Sequence, residues 1–269
     1  MILEGTLESL ARDTWERLRD SIGLDIRFGE ETITDLLLLD LKRQGLGGSR
    51  VIQTPKHNEK HTGTDWEWWI GTPRIGWLRF AVQAKKMNLK NYRYDSLSHK
   101  VGGTLQIDLL ERYATSNDAI PIYCLYNYIP TVRKSKSWQC CKQFEVEQLA
   151  CTITPSHVVK KAINTRGTRN FHSLHSNKQT LPWRCLADCP KRRKHSYLPQ
   201  ISKDTLKEFI PWDDLNSELR IYESLPKEIN LGRETGRIES FPVDFYSQEV
   251  SLYPRRVLVF ELDSLTKEA

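Results

Sequence analysis

The sequence predicts an α/β fold: a mixed central sheet flanked by helices. Three features carry this expectation. Two leucine-rich stretches near the start have helical periodicity. A block at 65–86 alternates aromatic and polar residues around a short turn, as a β-hairpin does. A third amphipathic stretch then leads into an apolar run rich in branched and aromatic side chains, the helix-to-strand order of a layered α/β domain. With 269 residues, 39% of them hydrophobic, the chain can bury a substantial core as one large domain or one domain with an appendage.

Taken in order, residues 5–20 read as a helix in which Leu7, Leu10, Trp15 and Leu18 share a face. A second helix begins after Gly29 with "EETITDLLLLDLKRQGLGG": its acidic first turn and basic last turn suit the helix dipole, and the glycines end it. "SRVIQT" is a short strand, followed by the polar loop "PKHNEKHTGT". "DWEWWIG" and "GWLRFAVQAKK" form the hairpin around "TPRI". "GGTLQIDLLERYATS" is helical and "AIPIYCLYNYI" a strand. The core therefore runs helix, strand, strand, strand, helix, strand. After Pro130 the pattern weakens to a helix at "SHVVKKAIN", a turn-rich stretch, the basic run "PKRRKH" and a late strand "RRVLVFEL" at 255–262. Residues 1–130 are read as the core. Residues 131–269 are read as a basic elaboration that contacts nucleic acid or completes the same domain.

Charge and composition exclude several classes. No apolar run is long enough to span a membrane, and the acidic, amphipathic start is not a secretory leader, so a cytoplasmic location is expected. Six cysteines lack the spacing of a disulfide framework and are read as reduced thiols. The basic charge is concentrated: residues 130–200 hold 14 Lys and Arg against Glu145, Glu147 and Asp188. Phosphate neutralisation dominates nucleic-acid affinity, so this stretch makes DNA the expected partner, with Lys191, Arg192, Arg193 and Lys194 as its densest contacts.

The residues that carry chemistry lie in the hairpin. Gln83 and Lys85 are two apart on one strand and leave the same face of the sheet. With Asp65 at the start of the neighbouring strand, a carboxylate, an amide and an amine converge. Asp65, the side-chain oxygen of Gln83 and the carbonyl of Ala84 are the oxygen donors a hard cation such as Mg2+ takes, with Mn2+ as a substitute. Lys85 is placed to activate a water or to offset charge building up on a phosphorus centre.

An Asp preceded by Gly at a hairpin strand, followed on the next strand by Q-x-K, resembles the PD-(D/E)xK, or restriction-endonuclease-like, nuclease superfamily. "GTD" with "QAK" is most similar to its Mrr-like QxK branch. The stretch "TGTDWEWWI…VQAKK…QIDLL…PIYCLYN" also resembles uncharacterised bacterial proteins assigned to this superfamily, for which defence against foreign DNA is a setting. The resemblance covers roughly residues 25–130. It implies a restriction-endonuclease-like core and Mg2+-dependent hydrolysis of DNA phosphodiester bonds. Asp65, Gln83 and Lys85 would be catalytic, joined by a Glu from the first core helix: Glu31, with Glu30 as the alternative. Thr64 stands where the motif has Pro.

Several neighbours have two readings. Glu67 falls on the Asp65 face by alternation, either as a second ligand or as a partner for Arg79 or Lys85. Gln106, in the helix after the catalytic strands, either faces the site or is an ordinary surface residue. Trp66, Trp68 and Trp69 are read as packing rather than as stacking platforms. Structural Zn2+ is not expected: no cysteine pair has C-x2-C spacing, and Cys185-x3-Cys189 is the sole suggestive interval. The rival functions are a nuclease-like module that binds nucleic acid or a protein partner without cutting, and a nuclease acting on RNA. A second copy of the chain or a defence-system protein is a further expected class of partner.

Overall fold

The computed structural model describes residues 2–44, 49–53, 62–132, 134–187, 220–227, 229–230, 254 and 256–262. Its helices are α1 (Ile2–Gly23), α2 (Glu30–Arg43), α3 (Gln106–Ser116), α4 (Lys134–Ser137), α5 (Ser156–Asn164) and α6 (Phe171–His175). Its strands are β1 (Ser49–Gln53), β2 (Trp66–Thr72), β3 (Gly76–Lys86), β4 (Lys100–Val101), β5 (Thr104–Leu105), β6 (Ile120–Tyr126), β7 (Cys151–Pro155), β8 (Leu181–Pro182) and β9 (Arg256–Glu261).

Seven strands form one mixed sheet in the order β1-β9-β2-β3-β6-β7-β8, and β4 and β5 make a separate small ribbon. The hairpin β2–β3 pairs Trp66 with Val82 and Thr72 with Gly76. Thr72 closes the turn, its Oγ1 accepting from the backbone N–H groups of Arg74 and Ile75 at 3.2 Å each. Strand β3 then runs parallel to β6, and α3 makes the crossover that parallel pairing requires. Strand β9 lies between β1 and β2, antiparallel to the first and parallel to the second. The expected α/β architecture with helices on a mixed sheet is therefore present and consistent with a restriction-endonuclease-like core. Strands β7, β8 and β9 come from beyond Pro130 and lie in that same sheet.

Alternation along β2 explains the tryptophans. Trp66 and Trp68 turn to the face packed against Leu7, Leu10 and Leu37, and Trp68 meets Trp183 at 5.6 Å between ring centroids. Trp69 turns to the opposite face, where Ile52, Trp77, Val257 and Val259 form a second apolar cluster. All three indoles are buried, as packing residues should be. On the α1 side, Leu3, Leu7, Leu10, Trp15 and Leu18 are buried, the stripe expected from helical spacing.

A buried polar network ties the far end of the sheet to α6. The His175 ring bonds Thr152 Oγ1 at 3.0 Å through Nε2 and the Phe171 carbonyl at 2.9 Å through Nδ1. Asn127 Oδ1 accepts from the Tyr94 hydroxyl at 2.5 Å, and its amide donates to the Leu149 carbonyl at 2.8 Å. Burial pushes the His175 imidazole down from 6.5 to about 3, so it folds neutral. The unfolded chain binds the proton first, so stability is full above pH 6.5 and falls with falling pH towards 3. Denaturant titrations between pH 7 and pH 4 are expected to show a component approaching about 1.4 kcal/mol per pH unit that His175→Asn removes.

Candidate functional site

The end of β3 carries "VQAKK" into an open cleft of about 370 Å³. Glu30, Glu31 and Thr34 of α2 form one wall, and Ser96, His99 and Val101 belong to the loop and ribbon opposite. Thr64, Asp65, Gln83 and Lys85 come from the hairpin, Gln106 opens α3, and Arg256 opens β9.

Asp65 is held at the entry to β2 by its backbone N–H, which donates to the Val82 carbonyl at 2.8 Å. Gly63 sets the approach, with φ at +63° and its Cα so close to α3 that a Cβ would fall 2.6 Å from the Gln106 carbonyl oxygen. Only glycine meets both demands. The Asp65 carboxylate accepts from the Ala84 backbone N–H at 2.7 Å and from the Gln83 amide through the same oxygen, Oδ2. That amide nitrogen also donates to the Ala84 carbonyl at 3.1 Å. Asp65 Oδ2 and Ala84 O thus converge on one point, now filled by N–H of Gln83. The other atom of this amide, Oε1, is buried with no hydrogen-bond partner among the described residues. Gln83 itself is 0% exposed, so this oxygen lacks, among the described residues, the partner that a buried amide oxygen ordinarily has.

Lys85 lies two residues on, 4% exposed, and its Nζ donates to Glu30 Oε1 at 3.2 Å. The second oxygen of Glu30 accepts from the Lys86 backbone N–H at 2.9 Å. Of the two helical candidates, Glu30 is therefore the one in contact with the motif lysine. Glu31, the sequence's first choice, lines the cleft and is exposed. The difference is helical phase: the first residue of α2 faces the end of β3, a detail set by where the helix starts. Lys86 turns away, its Nζ donating to the Phe28 carbonyl at 2.6 Å, and burial holds its amine below the usual lysine range. Behind α2, Thr34 Oγ1 bonds the Tyr126 hydroxyl at 3.0 Å.

Gln106 is brought to the cleft, and its Oε1 is a second buried acceptor without a partner among the described residues. Tyr123, opposite Gln83 in the β3–β6 ladder, has a buried hydroxyl without a partner among the described residues. Burial and then the nearby Asp65 charge push its ionisation far above the usual range, so the phenol stays protonated. Tyr94 is buried and bonded to Asn127. Sequence reasoning missed Ser96, His99 and Arg256. The first two sit in a polar loop directly after the motif lysines, a usable signal. Arg256 had none, because only the insertion of β9 brings it here, where it pairs with Asp35 of α2.

Glu67 does not line the cleft. It is fully buried and accepts from Arg79 Nη2 at 2.6 Å, Arg79 Nε at 2.9 Å, Trp69 Nε1 at 2.9 Å and the Tyr113 hydroxyl at 2.5 Å. Of its two sequence readings, partnership with Arg79 is the one realised. Lys191, Arg192, Arg193 and Lys194, like Cys189, lie outside the described residues.

As a donor set, Asp65 Oδ2, the Gln83 amide oxygen and the Ala84 carbonyl fit a hard divalent cation, which takes carboxylate, amide and carbonyl oxygens together with water. Rotating the Gln83 amide by half a turn would exchange a donor for the missing third oxygen. Among the described residues no cluster of three or more His, Cys, Asp or Glu is arranged for a metal, so any ion here relies on amide and backbone oxygens beside Asp65.

The chain belongs to a family of unknown function, DUF6615, whose model matches residues 3–264. No curated protein matches it.

The structural reading of Glu67 is testable. Removing one partner of a buried, fully bonded ion pair leaves the other charge unmatched, so Glu67→Ala is expected to lower unfolding stability by about 3–5 kcal/mol in urea titrations.

Proposed function

We propose that this member of the DUF6615 family is a divalent-metal-dependent phosphodiesterase of the PD-(D/E)xK type, with DNA as its substrate. One observation carries the reading. Asp65 Oδ2 and the Ala84 carbonyl meet at a single point beside the orphaned Gln83 oxygen, and Lys85 stands two residues along the same strand in the same cleft. A carboxylate, an amide oxygen and a backbone carbonyl beside a lysine are groups that metal-assisted hydrolysis of a phosphodiester can use.

Asp65, Gln83 and Ala84 would hold Mg2+, or Mn2+ in its place. Such an ion supplies Lewis-acid polarisation of a phosphoryl oxygen and a more acidic bound water. The chain's own residues do the rest. Lys85 Nζ is fixed by Glu30, so its remaining N–H bonds are free to orient the attacking water and to face the charge that develops on the phosphoryl oxygens. Glu30 is itself fixed by the Lys86 N–H, so the lysine does not have to reorganise as the reaction proceeds. Thr64 and Gln106 line the cleft on either side and supply polar contacts to a sugar-phosphate chain. The basic stretch at 130–200 supports a polyanionic substrate through phosphate neutralisation, and restriction or anti-phage defence is the setting proposed for the activity.

The test is cleavage of plasmid DNA, linear DNA and RNA with Mg2+, Mn2+ or EDTA. Wild type is expected to cut DNA only with metal. Lys85→Ala and Asp65→Asn are each expected to lower the rate by about 100-fold or more while the fold is retained. Cleavage unaffected by either substitution contradicts the reading. Cutting confined to RNA would move the substrate, and tight DNA binding without cutting under any metal would favour a binding module.

A further inference from the structure

Away from the cleft, two cysteines from distant parts of the chain meet. Cys140 follows α4, and Cys185 lies in the 3-10 turn Trp183–Leu186 after β8. Their sulfurs are 3.4 Å apart, and both residues are buried, 5% and 3% exposed. We propose that Cys140 and Cys185 form a redox-active dithiol that closes to an intramolecular disulfide when a small hydroperoxide reaches it. This inference is independent of the proposed nuclease activity.

The surroundings are those of a reactive thiol rather than an inert one. The Lys142 backbone N–H points at the Cys140 sulfur at 3.5 Å. Arg184, beside Cys185 in sequence, is 1% exposed and locked in place: Nη1 bonds Glu8 at 2.7 Å, Nη2 bonds the Gln143 carbonyl at 3.1 Å, and the guanidinium lies 5.2 Å from the Trp138 ring centroid. A guanidinium, itself paired with Glu8 and with Glu145 at 3.6 Å, and two hydrogen-bond donors therefore act on one sulfur. The Cys185 hydrogen bond first, then the Lys142 N–H and the Arg184 charge, outweigh burial and hold the Cys140 thiol below the usual thiol range. Burial has the opposite effect on Cys151, which is pushed up to about 12, and on Cys124, held well above the usual thiol range. Those two remain protonated and unreactive at neutral pH.

The chemistry balances in two steps. The Cys140 thiolate attacks one peroxide oxygen, the O–O bond breaks, and the departing oxygen takes a proton and leaves as water from hydrogen peroxide, or as the alcohol from an organic hydroperoxide, with a sulfenic acid on Cys140. The Cys185 thiol then attacks that sulfur, and its proton leaves with the displaced hydroxyl as water. Two thiols are oxidised by two electrons and one hydroperoxide is reduced. The sulfurs must close from 3.4 Å to about 2.05 Å, a movement within reach of side-chain torsion and small backbone adjustment.

The bond would act as a brace. The turn bearing Cys185 is where α1 rests, since Trp183 Nε1 donates to the Leu7 carbonyl at 2.9 Å and Arg184 pairs with Glu8. Tying that turn to the segment after α4 would pin α1 over Trp66 and Trp68 under oxidising conditions.

The experiment exposes the reduced, native full-length protein to hydrogen peroxide, blocks remaining thiols by alkylation and maps peptides with and without dithiothreitol. The expected result is loss of two of the six thiols, a peptide pair joined through Cys140 and Cys185 that dithiothreitol separates, and a melting temperature several degrees above the reduced form. Cys140→Ser and Cys185→Ser should each abolish the linked pair, whereas Cys151→Ser should keep it. Absence of the pair in wild type overturns the proposal whether or not the variants fold. So does a linkage through other cysteines, or thiols that react only after a chelator removes bound zinc. A linked pair with unchanged melting would overturn the brace.

Discussion

The structure depends on the register of one hairpin. Trp66 opposite Val82 and Trp69 opposite Arg79 place indoles on both faces of β2, each buried against a separate apolar cluster. Side chains alternate with a period of two, so a slip of one residue would carry every buried tryptophan to the wrong face and turn Arg79 and Glu67 into opposed layers. Burial of large aromatic side chains, worth roughly 2–3 kcal/mol each, makes such a slip prohibitive. The same register fixes Asp65 beside Gln83 and Ala84, so the packing of the tryptophans and the geometry of the cleft are one constraint.

The polar groups around the hairpin divide by how well they are satisfied. Glu67 receives four hydrogen bonds and closes a network with Arg79, Tyr113 and Trp69. Gln83 and Gln106 each keep a buried oxygen without a partner among the described residues. Glu67 is thus spent in a buried network away from the cleft, whereas Gln83 lines the cleft with an oxygen able to accept from a ligand, although alternation alone put both on one face.

What could be read in advance was local. Helical spacing located α1, α2, α3 and α5, and alternation with turn chemistry located β2 and β3, because each of these is decided by neighbours a few residues away. Asp65, Gln83 and Lys85 were legible for the same reason, whereas the sequence left Gln106 between the cleft and the surface. The position of β9 was not: a strand that enters between β1 and β2 after almost two hundred intervening residues leaves no local trace, and neither does the arrival of Arg256 beside Asp35. The choice between Glu30 and Glu31 depended on the first helical residue, the least predictable feature of any helix. The pairing of Cys140 with Cys185 was hidden by spacing, since sulfurs 45 residues apart suggest nothing until the chain folds.

Direct measurement of cation binding at the Asp65 cluster tests the central claim most closely, because it needs neither the right substrate nor an activating signal. Titration of Mn2+ followed by electron paramagnetic resonance is expected to show one ion bound by the wild type, displaced by excess Mg2+, and lost in Asp65→Asn with the melting temperature unchanged. Mn2+ binding that survives Asp65→Asn, or no binding by the folded wild type, would contradict the assignment of this cluster as a metal site.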